Sequence, residues 1–151
     1  MAAKAPLTQS NFHSITLSGD VDQYKIIGQV EIPAKGPLTL KSLIATLDLT
    51  GITGLGIYVF GEDIGANLGN NIVTDTMDLA SYSSSLVGWI ALLGSDDPAS
   101  EGTSSIFMIA SASSLEFPPQ SEALYFVIVN TTAATIGTGR KFSLSLQFDN
   151  T

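Results

Sequence analysis

This 151-residue sequence has no cysteine, one histidine, one tryptophan and few charges: only 13% of its residues are Asp, Glu, Lys or Arg. Each shortage excludes something. Without cysteine there are no disulfides and no thiolate metal sites, which fits a reducing compartment. A Ser-His-Asp triad or a zinc site would have to use His13, and no carboxylate stands beside it. No run approaches the ~18 apolar residues of a membrane-spanning helix. The opening MAAKAPLTQS lacks the apolar centre of an export signal. Six basic residues face fourteen acidic ones, for a net charge of −8, and only Arg140 and Lys141 are adjacent. A nucleic-acid surface needs the opposite balance.

Soluble domains usually carry ~25% charged residues. Here Ser, Thr, Gly, Asn and Gln hold the polar positions instead, beside an ordinary 44% of apolar residues. Neutral polar groups lose less on being packed against another protein than charges do. The balance points to a chain that works in an assembly.

The apolar pattern has the period of β-strands. In the segment Gln23 to Ile32, Tyr24, Ile26, Gly28, Val30 and Ile32 share one face, with Ile27 as the exception. Pro33 and Gly36-Pro37 break the pattern. It resumes with Leu43, Ala45, Leu47 and Leu49, and again with Leu55, Ile57 and Val59. A short strand is expected between Asn71 and Leu79, and strands over Leu86 to Leu93, Ser105 to Ala112, Leu124 to Asn130 and Lys141 to Phe148. In the last, Phe142, Leu144, Leu146 and Phe148 alternate with Lys141, Ser143, Ser145 and Gln147. No segment holds a helical period. About eight strands punctuated by Gly, Pro and Asn predict an all-β fold, an antiparallel β-sandwich of jelly-roll type, with an immunoglobulin-like sandwich second. The stretch from Leu124 to Phe148 reads as a hairpin central to one sheet. Residues 1–11 read as an extended N-terminal arm and residues 12–151 as one sandwich domain. Leu7 and Phe12 are the apolar anchors with which the arm would bind a partner.

Chemistry-bearing residues are sparse. His13 reads as a surface histidine at a strand edge. The carboxylate groups Asp20/Asp22, Glu62/Asp63 and Asp96/Asp97/Glu101 each sit in a Gly- or Ser-bearing turn, where Asp binds nearby backbone amides. Asp96, Asp97 and Glu101 could together take Ca²⁺, although the spacing is not that of an EF-hand loop. Gly61 to Asn71 lacks the Lys and following helix of a phosphate loop. Trp89 could stack on a sugar, but apolar Val87, Ile90 and Leu92 around it favour a core position. No catalytic group, cofactor or metal is therefore expected.

The arm Met1 to Asn11, the closing strands LYFVIVN and KFSLSLQF, and a cysteine-free, charge-poor, Ser/Thr/Gly/Ala-rich composition together resemble the cement or head-decoration proteins of tailed bacteriophages. That resemblance covers the whole chain in style and rests on no single motif. It implies a structural virion protein, not an enzyme, made in the host cytoplasm and seated on the capsid surface. It also implies a homo-oligomer, a trimer, whose partner is the major capsid protein, with neither nucleic acid nor membrane bound. The alternative from the residues alone is a carbohydrate-binding module or lectin, which needs an exposed aromatic platform.

Overall fold

Period-two alternation becomes strands wherever Val, Ile, Leu and Phe recur on one side, and the Gly, Pro and Asn clusters become the connections. A computed structural model describes residues 8–17, 19–33, 38–63, 83–96, 104–109, 115–117 and 123–150. The strands are β1 (Thr8–Thr16), β2 (Ile26–Pro33), β3 (Leu38–Leu47), β4 (Gly54–Phe60), β5 (Leu86–Asp96), β6 (Ser105–Ile109), β7 (Leu115–Phe117), β8 (Ala123–Asn130) and β9 (Lys141–Asn150). A single 3₁₀ turn, Ser83–Ser85, is the one helical element among the described residues. The strand expected between Asn71 and Leu79 lies outside them.

Every pairing is antiparallel, and the pairs nest: β4 with β5, β3 with β6, β2 with β8, and β1 with β9. This is one long hairpin rolled up, the jelly roll. Rolling gives a first sheet β1-β9-β3-β6 and a second sheet β5-β4-β8-β2, while β7 adds to β3. One strand belongs to both sheets. From Leu86 to Leu93, β5 pairs with β4; from Gly94 to Asp96 it pairs with β6. Gly94 sits at the crossing, and a Cβ there would lie 2.2 Å from the ring of Phe107. We expect Gly94→Val to cost about 1–3 kcal/mol by overpacking. Denaturant unfolding checks it: an unchanged midpoint would mean that the Phe107 ring swings aside freely.

The core fills the space between the sheets. Phe142, Leu144, Leu146 and Phe148 of β9 face inward with Leu43, Ala45 and Leu47 of β3. Opposite them stand Leu124, Phe126 and Ile128 of β8 and Leu55, Ile57 and Val59 of β4. The inward set of β9 is the one its alternation gives. The pairing of its neighbour differs from expectation: β8 and β9 form no hairpin and lie in different sheets, facing each other across the core. The Phe126 and Phe148 rings meet edge to face at 6.0 Å. The ten-residue connection 131–140 is long enough to cross the sandwich, so the chain is not held to a tight turn.

In β2 a bulge between Ile26 and Gly28 shifts the register. It turns Ile27 into the core and Ile26 onto the outer face, which explains Ile27 as the exception in the pattern. Tyr24, expected to face inward with Val30 and Ile32, lies ahead of the bulge, exposed and at positive φ (69°). At the other terminus of the sheet, β1 already pairs with β9 from Thr8 onward, so residues 8–11 of the expected arm are in the ladder. Residues 1–7, Leu7 included, lie outside the described residues.

Candidate functional site

A jelly roll presents two outer sheet faces and two loop ends, and the chain's chemistry must be sought there. The end built from loops 17–25, 48–53 and 131–140 is tied by short polar bonds. Asn130, fully buried, donates from Nδ2 to the carbonyls of Val21 (3.2 Å) and Ala134 (2.8 Å) and accepts from the Thr132 N–H at 2.9 Å. Thr132 Oγ1 accepts from the Gly54 N–H (2.9 Å) and the Thr53 N–H (3.1 Å). Asp20 Oδ1 accepts from the Thr138 N–H at 2.8 Å and its hydroxyl at 2.9 Å, and Asp22 Oδ1 accepts from the Thr135 hydroxyl at 2.6 Å.

These two carboxylates are loop ties, each bound to a different threonine, and not an acid–base pair. The Thr138 backbone bond, then its hydroxyl, hold Asp20 below the usual carboxylate range. A carboxyl depressed in the folded state contributes its stability above its unfolded value and loses it as pH falls through the folded one. Asp20→Asn should therefore lower stability slightly at neutral pH, where the carboxylate contributes, and flatten the fall toward acid, so that the two profiles converge at low pH. A Tm series from pH 7 to pH 2 checks this, and superimposable profiles would contradict it.

The second carboxylate group is likewise divided. Glu62 Oε1 accepts from the Ser85 hydroxyl (2.9 Å), whereas Asp63 Oδ1 accepts from Gln29 Nε2 (2.8 Å) on β2. Of the third group, Asp97 and Glu101 lie outside the described residues, and Asp96 ends β5. Among the described residues no three His, Cys, Asp or Glu side chains converge as metal ligands. His13 is at a strand edge, as expected, but it points inward from β1 instead of outward. Its Nε2 is buried without a hydrogen-bond partner among the described residues, and burial lowers its pKa.

Trp89 departs most from expectation. Ile90 and Leu92 take the core side of β5, so Trp89, Ala91 and Leu93 are turned outward. The apolar run LVGWIALL is a strand whose two faces are both apolar, which sequence neighbours alone could not separate. Trp89 is 46% exposed and Leu93 87% exposed. The indole lies across Gly56, where a Cβ would fall 2.2 Å from it, and packs at 4.3 Å from the Tyr58 ring. Behind it, Ile26, Phe60, Val127 and Val129 form a second apolar cluster on the same outer face, with Tyr58, Leu86 and Tyr125 packed against it. Trp89 is the only tryptophan, so its fluorescence reports this face directly. Iodide should quench it in the free protein, whereas a core indole would be shielded.

The outer face of the first sheet is mixed: it carries exposed Lys141 and a Lys41–Asp149 ion pair at 3.7 Å beside neutral side chains. Phe12, Ser145 and Ile44 form one cross-strand row over β1, β9 and β3. Phe12 is 69% exposed, so this sequence-predicted anchor stands in solvent.

The eight nested strands define the class of this molecule by fold, an antiparallel jelly roll. No protein-family profile matches the chain, and no curated protein does. Among solved structures it is similar to a chain of Desmodium yellow mottle tymovirus, with 11% identity, a TM-score of 0.30, and coverage of 99% of this chain and 90% of that one. A chain of turnip yellow mosaic virus gives 12%, 0.28, 99% and 83%. A chain of mud crab dicistrovirus gives 10%, 0.32, 96% and 69%. Superpositions this loose, at such identities, carry neither family nor function across.

Proposed function

We propose that this chain is a structural virion protein, a decoration or cement subunit that binds and stabilises a capsid shell as a homo-oligomer. The observation that carries the reading is the character of its two outer faces. Phe12 and Ile44 on one face, and Trp89 and Leu93 on the other, are exposed apolar residues on a rigid sandwich that holds no assembled catalytic group among the described residues. Exposed apolar surface of this kind is the mark of a contact face. The aromatic members are those that dominate interface energies. Phe12, with Leu7 ahead of it, is the proposed anchor at the β1 side, and the major capsid protein is the proposed partner. The trimer belongs to the same reading: several weak neutral contacts per ring add up to strong attachment. The virion surface is then its location, after synthesis in the host cytoplasm. Among the described residues no helix is long and apolar enough to cross a membrane.

The test is to strip the protein from particles and re-add it across a salt series. Neutral contacts predict attachment that weakens only slightly from low to high salt, because little charge is there to be screened. Light scattering of the free protein should give the mass of three chains. A monomer that binds no shell would remove the reading.

A second reading has its own observation. The Trp89 indole, set against Gly56 and tilted on Tyr58, is a half-exposed aromatic surface of the kind on which a pyranose ring stacks. A glycan array would show binding that Trp89→Ala abolishes if the chain is a carbohydrate-binding module.

A further inference from the structure

Among the described residues the sheet ends on two strands, β1 and β2, and they are finished differently. Natural sheets guard such edges with charge, proline or a bulge, because open N–H and C=O groups template pairing with another chain. Strand β2 has all three: exposed Glu31, Pro33 at its end, and the bulge between Ile26 and Gly28. Strand β1 has none. Its nine residues, TQSNFHSIT, contain no proline, no glycine and no Lys, Arg, Asp or Glu, and they pair without a register shift along β9.

Which groups β1 leaves open follows from its end. Leu17 points both backbone groups toward the β9 side: its N–H donates to the Arg140 carbonyl (2.9 Å), and its carbonyl accepts from the Gly139 N–H (2.8 Å). Along an antiparallel strand the direction alternates residue by residue. Ile15, His13, Asn11 and Gln9 therefore address β9, and Thr16, Ser14, Phe12, Ser10 and Thr8 address the open edge. Phe12 is the midpoint of this set. On the same strand, Asn11 Nδ2 and His13 Nε2 are buried with no hydrogen-bond partner among the described residues.

We infer that β1 is a self-pairing edge, which joins antiparallel to β1 of a second copy across a two-fold axis at Phe12. In that register Phe12 meets Phe12 of the other copy, Ser10 meets Ser14, and Thr8 meets Thr16. Every pair matches open groups with open groups. The occupant is a second copy because the strand is its own complement. The set is symmetric about its centre. It also brings no like charges together, although each chain carries a net charge of −8. The two first sheets become one continuous sheet, and the two exposed Phe12 side chains cover each other as a cross-strand pair. The contact rests on the reading that the chain assembles with itself. It adds a two-fold joint by which one ring of subunits connects to the next.

The absence of cysteine makes the test clean. Ser10→Cys and Ser14→Cys proteins, mixed and oxidised, should form a disulfide with each other, since hydrogen-bonded antiparallel pairs sit about 5.5 Å apart at Cα, within disulfide reach. Neither alone should cross-link efficiently. Ser145→Cys, on the same outer face but on β9, should not cross-link either. Ser14→Pro removes an N–H that β9 does not use, so it should fold normally and self-associate about tenfold more weakly or worse. Cross-linking of the Ser10/Ser14 mixture together with loss of association in Ser14→Pro supports the joint. An oligomer mass that Ser14→Pro leaves unchanged, with no Ser10–Ser14 disulfide, overturns the joint but spares the assembly reading. A disulfide-free wild-type monomer that binds no shell removes both. Cross-linking of these cysteines to a different protein, with none between copies, also overturns it.

Discussion

Leu144→Asp is expected to abolish soluble folding, while Ser145→Asp, one residue away, is expected to be tolerated. Leu144 has no exposed surface and is enclosed by the core between the two sheets. A carboxylate placed there loses its hydration, a penalty of several kcal/mol, and the one basic group opposite it is His13 on β1, whose charged form burial disfavours. That is a large share of the 5–15 kcal/mol by which such domains are stable. Ser145 is exposed on the opposite face of the same strand, where substitutions ordinarily stay within about 0.5 kcal/mol. Soluble yield and the urea midpoint of the two variants decide it. Equal tolerance would mean that β9 is shifted by one residue, since a one-residue slip exchanges its faces.

Phe126→Ala and Phe148→Ala should each cost about 3–5 kcal/mol, through lost burial and the cavity left behind. Both rings are fully buried. The double variant should cost less than the sum, because the rings touch each other across the sandwich at 6.0 Å and each single change already removes that contact. Chemical denaturation of the four proteins forms the cycle. Strict additivity would indicate that β8 and β9 do not face each other, and the two-sheet arrangement would have to be redrawn.

The parts of this fold that the sequence discloses are those governed by local alternation. Phe142, Leu144, Leu146 and Phe148 announce their face because Lys141, Ser143, Ser145 and Gln147 separate them. Strand β5 did not disclose its orientation, since Trp89, Ala91 and Leu93 on the outside are as apolar as Ile90 and Leu92 on the inside. Partner choice was hidden as well. Nothing in Leu124 to Phe148 states that its two strands enter different sheets, because pairing is set by the rolling of the whole chain. The open edge at β1 was hidden for the same reason: only topology makes one strand terminal. Two signals were present all the same. Gly56 and Gly94, inside otherwise regular strands, mark the places where an aromatic ring must come close.

The nesting of the strands also sets an order of events in time. Thr8 pairs with Asp149, so the first strand waits for the last, and its ladder cannot close until β9 has left the ribosome. Pairings between such distant residues form slowly, since the intervening chain must be organised first. The β4–β5 pair and its neighbours can assemble earlier, but the β1 edge gains its ordered form only at completion. A nascent chain therefore has no finished edge to offer another nascent chain. The self-pairing proposed for β1 would thereby be confined to molecules that have already folded, which would keep a charge-poor protein from joining its copies too soon.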